Sequence, residues 1–219
     1  MVMQNFQSVV NSCITLTLAT AFLIIGMRRI DSVIKVVIVQ AFLLMALCLI
    51  LGWATGIYEM YFAALLTLVV KVGIIPYVLS KVAGRVNICR EVKSYISMKM
   101  SFLICACLVS ISFFSTSQVI GKGSGLIHEA LPTAISLMLI GLFIMMNRKL
   151  AIMQIVGFVL MENGLFLAGI GTTNGMPLAI ELGIFLDILV GVLIMGVLVF
   201  RINRSFDNID TQNLRNLRG

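Results

Sequence analysis

The sequence predicts an all-α integral membrane protein with about seven transmembrane helices, N-terminus outside and C-terminus in the cytoplasm. Composition is the first reason. Of 219 residues, 60% are hydrophobic and 11% charged, where a soluble domain carries about a quarter charged residues. Mean hydropathy is +1.11. Apolar runs of about 20 residues recur from end to end, each long enough to cross a hydrocarbon core about 30 Å thick. They lack the alternation of barrel strands, so they read as helices. The third reason is where the cations fall.

Span 1 reads as Phe6 to Met27, span 2 as Val33 to Ala54 and span 3 as Glu59 to Ser80. A polar segment, Lys81 to Lys99, follows and is too short to bury a core of its own. Span 4 is Met100 to Ile120, closed by the glycine-rich break Gly121 to Gly125. Span 5 is Ile127 to Asn147, with Pro132 tolerated in its first turns. Span 6 is Leu150 to Ile170, ended by GTTNGMP, whose glycines stop the helix and whose Pro177 opens the next. Span 7 is Leu178 to Phe200, and a polar tail begins at Arg201. The break divides a four-helix part, residues 1–120, from a three-helix part with its tail, residues 127–219.

Cations after the odd spans are Arg28, Arg29 and Lys35; Lys81, Arg85, Arg90, Lys93 and Lys99; Arg148 and Lys149; Arg201, Arg204, Arg215 and Arg218. The opposite side holds Lys122 alone. A bias of about fourteen to one is the positive-inside pattern, and an even helix count would break it. It also accounts for the net charge of +7 without nucleic acid, since no aromatic-plus-basic patch of single-strand binders accompanies it.

Several chemistries are excluded. Cys13, Cys48, Cys105 and Cys107 lie in apolar helices and Cys89 in a basic loop. None forms a CxxC pair, so zinc or iron–sulfur ligation is not indicated. His128 stands alone. No phosphate loop, Ser/His/Asp set or metal-ligand spacing is present. Arg28 and Arg29 follow the first apolar run, the wrong polarity for a signal peptide, so span 1 is expected to be retained.

Three ionisable residues fall deep inside the spans: Lys71, Glu162 and Asp187. Counted from Lys81, Leu150 and Arg201, they lie about 15, 18 and 21 Å from the cytoplasmic boundary, all close to the midplane. Such a charge costs at least about 2.5–3.5 kcal/mol on insertion scales. It persists by pairing, by facing a wet cavity or by becoming neutral, which suits proton exchange. A buried salt bridge of Lys71 with Glu162 or Asp187 that only holds helices together is the plain alternative. Gly183 and Gly191 flank Asp187 at spacing four and let another helix approach. Asn163 adjoins Glu162. Gln40 and Gln154, nearer the cytoplasmic ends of spans 2 and 6, extend a candidate polar path. Pro76 loosens span 3 and frees backbone carbonyls. Glu181 sits about 30 Å from the cytoplasmic end. It is either a solvated helix-start carboxylate or an outer proton exit.

The stretches GFVLMENGLFLAG and PLAIELGIFLDILVGVLIMGVLVFRI, with VKVGIIP in span 3, resemble the hydrogenase-4 component E family over nearly the whole chain. Residues 128 to 219 also resemble the small three-helix NuoK subunit of respiratory complex I, including the tail NIDTQNLRNLRG. NuoK-type subunits carry a mid-membrane glutamate in each of their second and third helices, both implicated in proton transfer. The resemblance puts the first on Glu162. It puts the second on Asp187, through the shared acid-x-x-x-Gly pattern ending at Gly191. Asp for Glu is a departure that shortens the reach. Lys71 is not supplied by NuoK.

The resemblance implies a non-redox subunit of a complex-I-like energy-converting complex of the formate hydrogenlyase type, in a bacterial or archaeal cytoplasmic membrane. The chain is not catalytic alone and carries no cofactor. Nickel–iron and iron–sulfur centres are expected in a peripheral redox arm, beside antiporter-like and quinone-module-like membrane subunits. Glu162, Asp187 and Lys71 would serve a path for protons or Na⁺, with Glu181, Gln40, Gln154 and Asn163 as accessories. Two alternatives stand: a transporter, either stand-alone or a subunit of a multi-subunit cation/proton antiporter, and a purely structural membrane anchor. A retinal-type pump fails because span 7 has no lysine.

Overall fold

The computed structural model describes residues 2–85, 94–120, 126–173 and 191. Among these the regular structure is helical throughout: α1 (Val2–Gly26), α2 (Ile30–Thr55), α3 (Tyr58–Thr67), α4 (Ile75–Arg85), α5 (Met98–Ile120), α6 (Leu126–Asn147) and α7 (Ala151–Thr173). A π-helical turn, Leu68–Ile74, joins α3 to α4, so the three pieces form one rod. Six helical spans are long and apolar enough to cross a membrane, and the chain is a multi-pass membrane protein. Of the seventh expected span, Leu178 to Phe200, only Gly191 is among the described residues.

The π turn has a local cause. Pro76 has no N–H to return to the ladder, and its ring collides with the carbonyl four residues earlier. The chain relieves this by widening the turn before it: the Ile75 N–H donates to the Val70 carbonyl, five residues back. Lys71 sits inside the widened turn. The other sharp feature is the α2–α3 corner, where Gly56 takes φ 70° and its N–H returns to the Gly52 carbonyl at 2.9 Å. An L side chain rarely adopts that conformation.

The tightest packing is between α6 and α7. Gly157, Gly164 and Gly171 recur every seven residues and so line one face of α7. A Cβ on Gly157 would stand 2.7 Å from the Gly141 carbonyl oxygen, and one on Gly164 2.6 Å from that of Ala134. Backbones this close are how membrane helices gain dispersion contact where lipid provides no hydrophobic drive. The face of α7 turned away from α6 carries Glu162, Asn163 and Phe166, and α2 and α4 pack against this helix. α1 packs on α2 and α6, and α5 on α6 and α1. The helices of residues 1–120 therefore share one core with α6 and α7, with Leu44, Leu47, Leu137, Ile140 and Leu167 inside it.

One end of the bundle is basic and strapped together. Arg148, 4% exposed, donates to the Ile25 carbonyl at the end of α1 at 2.6 Å. Asn147 accepts from the Ile96 N–H and donates to Ser101. Exposed Tyr77 and Tyr95 stand there with Lys81 and Lys149 over their rings. Exposed Trp53 and Tyr58 mark the other end. Aromatic residues at both ends of apolar spans form the belts of a bilayer-embedded bundle.

Candidate functional site: a buried lysine–glutamate pair

Lys71 and Glu162 meet in the middle of the bundle. Lys71 lies near the centre of the span Tyr58–Lys81, and Glu162 near the centre of Ala151–Thr172. The Lys71 Nζ is 2.8 Å from Glu162 Oε1, with the side chains 2% and 1% exposed. The widened turn carries the lysine, and the glycine face of α7, turned to α6, leaves the glutamate free to point the other way.

The lysine's surroundings are polar in an ordered sequence. Nζ donates to Asn163 Oδ1 at 3.0 Å. Asn163 Nδ2 donates to Gln40 Oε1 at 3.1 Å, and Gln40 Nε2 donates to the Thr17 carbonyl at 3.2 Å. Asn163 and Gln40 are fully buried. Nζ also lies 5.1 Å from the centre of the Phe166 ring, within reach of a cation–π attraction. The glutamate is served less well. Among the described residues neither of its oxygens meets a donor in hydrogen-bond geometry, so its contact with Lys71 is an ion pair by distance alone.

Magnitudes decide what such a pair is for. At 2.8 Å and an effective dielectric of about 20, the attraction is about 6 kcal/mol. Desolvating two ions costs several kcal/mol each. The pair does not outperform two apolar side chains as cement. What sets it apart from a plain joint is a carboxylate, beside a cation, whose oxygens meet no donor in hydrogen-bond geometry among the described residues.

The structure thus brings Lys71, Glu162, Asn163 and Gln40 together. Gln154 is exposed on α7 and stands apart from this cluster. Asp187 and Glu181 lie outside the described residues. Sequence reasoning missed the Thr17 carbonyl, which has no side-chain signal, and the ring of Phe166. The latter was legible as the residue one turn beyond Glu162. No group of His, Cys, Asp and Glu able to hold a metal occurs among the described residues.

The chain is similar to hydrogenase-4 component E. The Escherichia coli K12 protein of that name is 28% identical over 152 residues, covering 69% of this chain and 70% of its own length. The Shigella flexneri component E matches to the same extent. The uncharacterized protein Rv0085 of Mycobacterium tuberculosis is 29% identical over 215 residues, 98% of both chains. No family model matches the chain, and no solved structure matches it.

Proposed function

We propose that this chain is a non-redox membrane subunit of a hydrogenase-type, complex-I-like energy-converting complex, and that Lys71 and Glu162 belong to its proton-translocating path. The observation that carries the reading is the ion pair at mid-span, whose carboxylate meets no hydrogen-bond donor among the described residues. Similarity to hydrogenase-4 component E supports membership in a hydrogenase complex.

In this reading the chain has seven spans, its N-terminus outside and its C-terminus in the cytoplasm of a bacterium or archaeon. The last three spans are NuoK-like. Asp187 on span 7 is the second relay carboxylate, reached from Glu162. A proton added to Glu162 neutralises the carboxylate and weakens its hold on Lys71. The ammonium then rests on Asn163 and Phe166 until the proton leaves and the pair re-forms. Electron transfer occurs in partner subunits that bear nickel–iron or iron–sulfur centres. Antiporter-like and quinone-module-like membrane subunits lie alongside.

Membership is tested by mild extraction of an affinity-tagged chain from its native membrane, with metal analysis and mass spectrometry of what accompanies it. Stoichiometric recovery of subunits containing nickel and iron is expected. A chain that leaves the membrane alone and moves cations in liposomes would overturn the assignment in favour of a stand-alone carrier.

A further inference from the structure

We infer that the corner where α1 ends and α5 and α7 begin binds the headgroup of an anionic phospholipid, with Arg28, Lys99 and Lys149 around its phosphate. The inference is independent of the proton path, because the corner lies at the basic end of the bundle and the ion pair at mid-span.

Three cation-bearing segments are drawn together there. Arg148, in the turn between α6 and α7, donates to the Ile25 carbonyl, three residues before Arg28. Asn147 donates to Ser101 Oγ, two residues after Lys99. Phe102 lies against Gly26, where a Cβ would stand 3.1 Å from its ring. The turn, the end of α1 and the start of α5 are thus joined pairwise. Arg28, Lys99 and Lys149 are all exposed. Arg148 is buried and engaged, so it positions the corner rather than meeting the ligand.

Two of these cations stand where a helix favours an anion. Lys99 is in the first turn of α5, and Lys149 comes just before α7. Those are the positive ends of the helix dipoles. Neither first turn carries an acid. Dipole and ammonium therefore add, and a phosphate gains from both. A local conflict of this kind is the mark of a functional site, where the cost is repaid elsewhere.

Depth and apolar surface select a lipid. The corner lies at the ends of the spans Phe6–Gly26, Met98–Gln118 and Ala151–Thr172, at the level of the headgroups. The Tyr95 N–H donates to the Asn147 carbonyl at 2.9 Å, and the Lys149 Nζ stands 4.5 Å over the Tyr95 ring. An exposed tyrosine at this level is a headgroup-region side chain. About one turn further into the spans, Leu23 and Leu103 are exposed and offer apolar surface to the acyl chains. An acidic protein surface would match the charge and not the apolar surface beside it. Basic pockets between membrane helices take anionic headgroups in this way.

Lipid titration of the purified full chain in neutral micelles, followed by native mass spectrometry, tests this. Phosphatidylglycerol and phosphatidylcholine with the same acyl chains are compared in about 0.15 M salt, where distant exposed charges are screened. Wild type is expected to bind phosphatidylglycerol more than about 30-fold more tightly, at about fivefold for each cation near an anionic surface. Lys99→Gln/Lys149→Gln should cut that preference about 30-fold. Lys81→Gln removes a cation from the same end on α4, which packs on α2, and should change it less than about twofold. Equal affinity for the two lipids overturns the inference. So does a loss as large in Lys81→Gln as in Lys149→Gln, which is diffuse attraction without a site. A double variant that keeps the full preference also overturns it, and leaves the charge of the corner to an acidic partner protein. If the double variant does not fold, Arg28→Gln and Lys149→Gln are read singly. Each should then cost about fivefold, and an unchanged preference in both overturns the inference.

Discussion

Removing the lysine alone exposes how the pair is held. Lys71→Met keeps the length of the side chain and deletes its charge. It strands Glu162, 1% exposed, with neither oxygen hydrogen-bonded among the described residues. Breaking one member of a buried pair costs about 3–5 kcal/mol, whereas replacing both with apolar groups is often near neutral. The double variant Lys71→Met/Glu162→Leu should therefore recover most of the loss. A coupling of at least about 2 kcal/mol is expected, above the level of about 1 kcal/mol or less for exposed pairs. The assay is reversible unfolding of the purified chain in mixed micelles, with wild type, both single variants and the double variant in one buffer. Single variants that cost less than about 1 kcal/mol, or a double variant as unstable as the two singles summed, would refute the idea that the two charges depend on each other in the bundle interior.

Three further substitutions separate structural causes. Gly164→Ala places a Cβ 2.6 Å from the Ala134 carbonyl oxygen. Forcing α6 and α7 apart should cost about 1–3 kcal/mol, read as a lower unfolding midpoint. Gly56→Ala meets nothing within 4 Å but must hold φ 70°. It should cost about 1 kcal/mol from backbone strain alone, and a loss as large as that of Gly164→Ala would contradict this. Arg148→Leu deletes the 2.6 Å bond to the end of α1. It should cost about 1.5–3 kcal/mol of stability, read as a lower unfolding midpoint.

The six described spans were legible because each is a long apolar run bounded by cations or glycine, and the bilayer allows helices little latitude. Lys71 and Glu162 were legible for the same reason: a charge in the middle of an apolar run stands out at any depth. Their pairing was one of two open options for Lys71, because depth along a helix says nothing about which neighbour lies beside it. Pro76 pointed to a disturbed third span, and the disturbance proved to be a widened turn that carries the lysine. Gln40 was expected nearer the cytoplasmic end of its span as an extension of a path. Its part in the lysine's own network depends on how α1, α2 and α7 converge, which no local pattern records. The heptad of Gly157, Gly164 and Gly171 could have been read from the sequence as a close-packing face and was not.

The most direct test of the proton role is the number of protons moved per electron by the native complex in sealed liposomes, with Glu162→Gln compared against wild type. Gln keeps the shape of the side chain and cannot carry the proton. An assembled complex whose proton movement is lost or cut is the expected result. An unchanged ratio of protons to electrons at unchanged turnover would contradict it, and would leave the buried pair as a joint between helices.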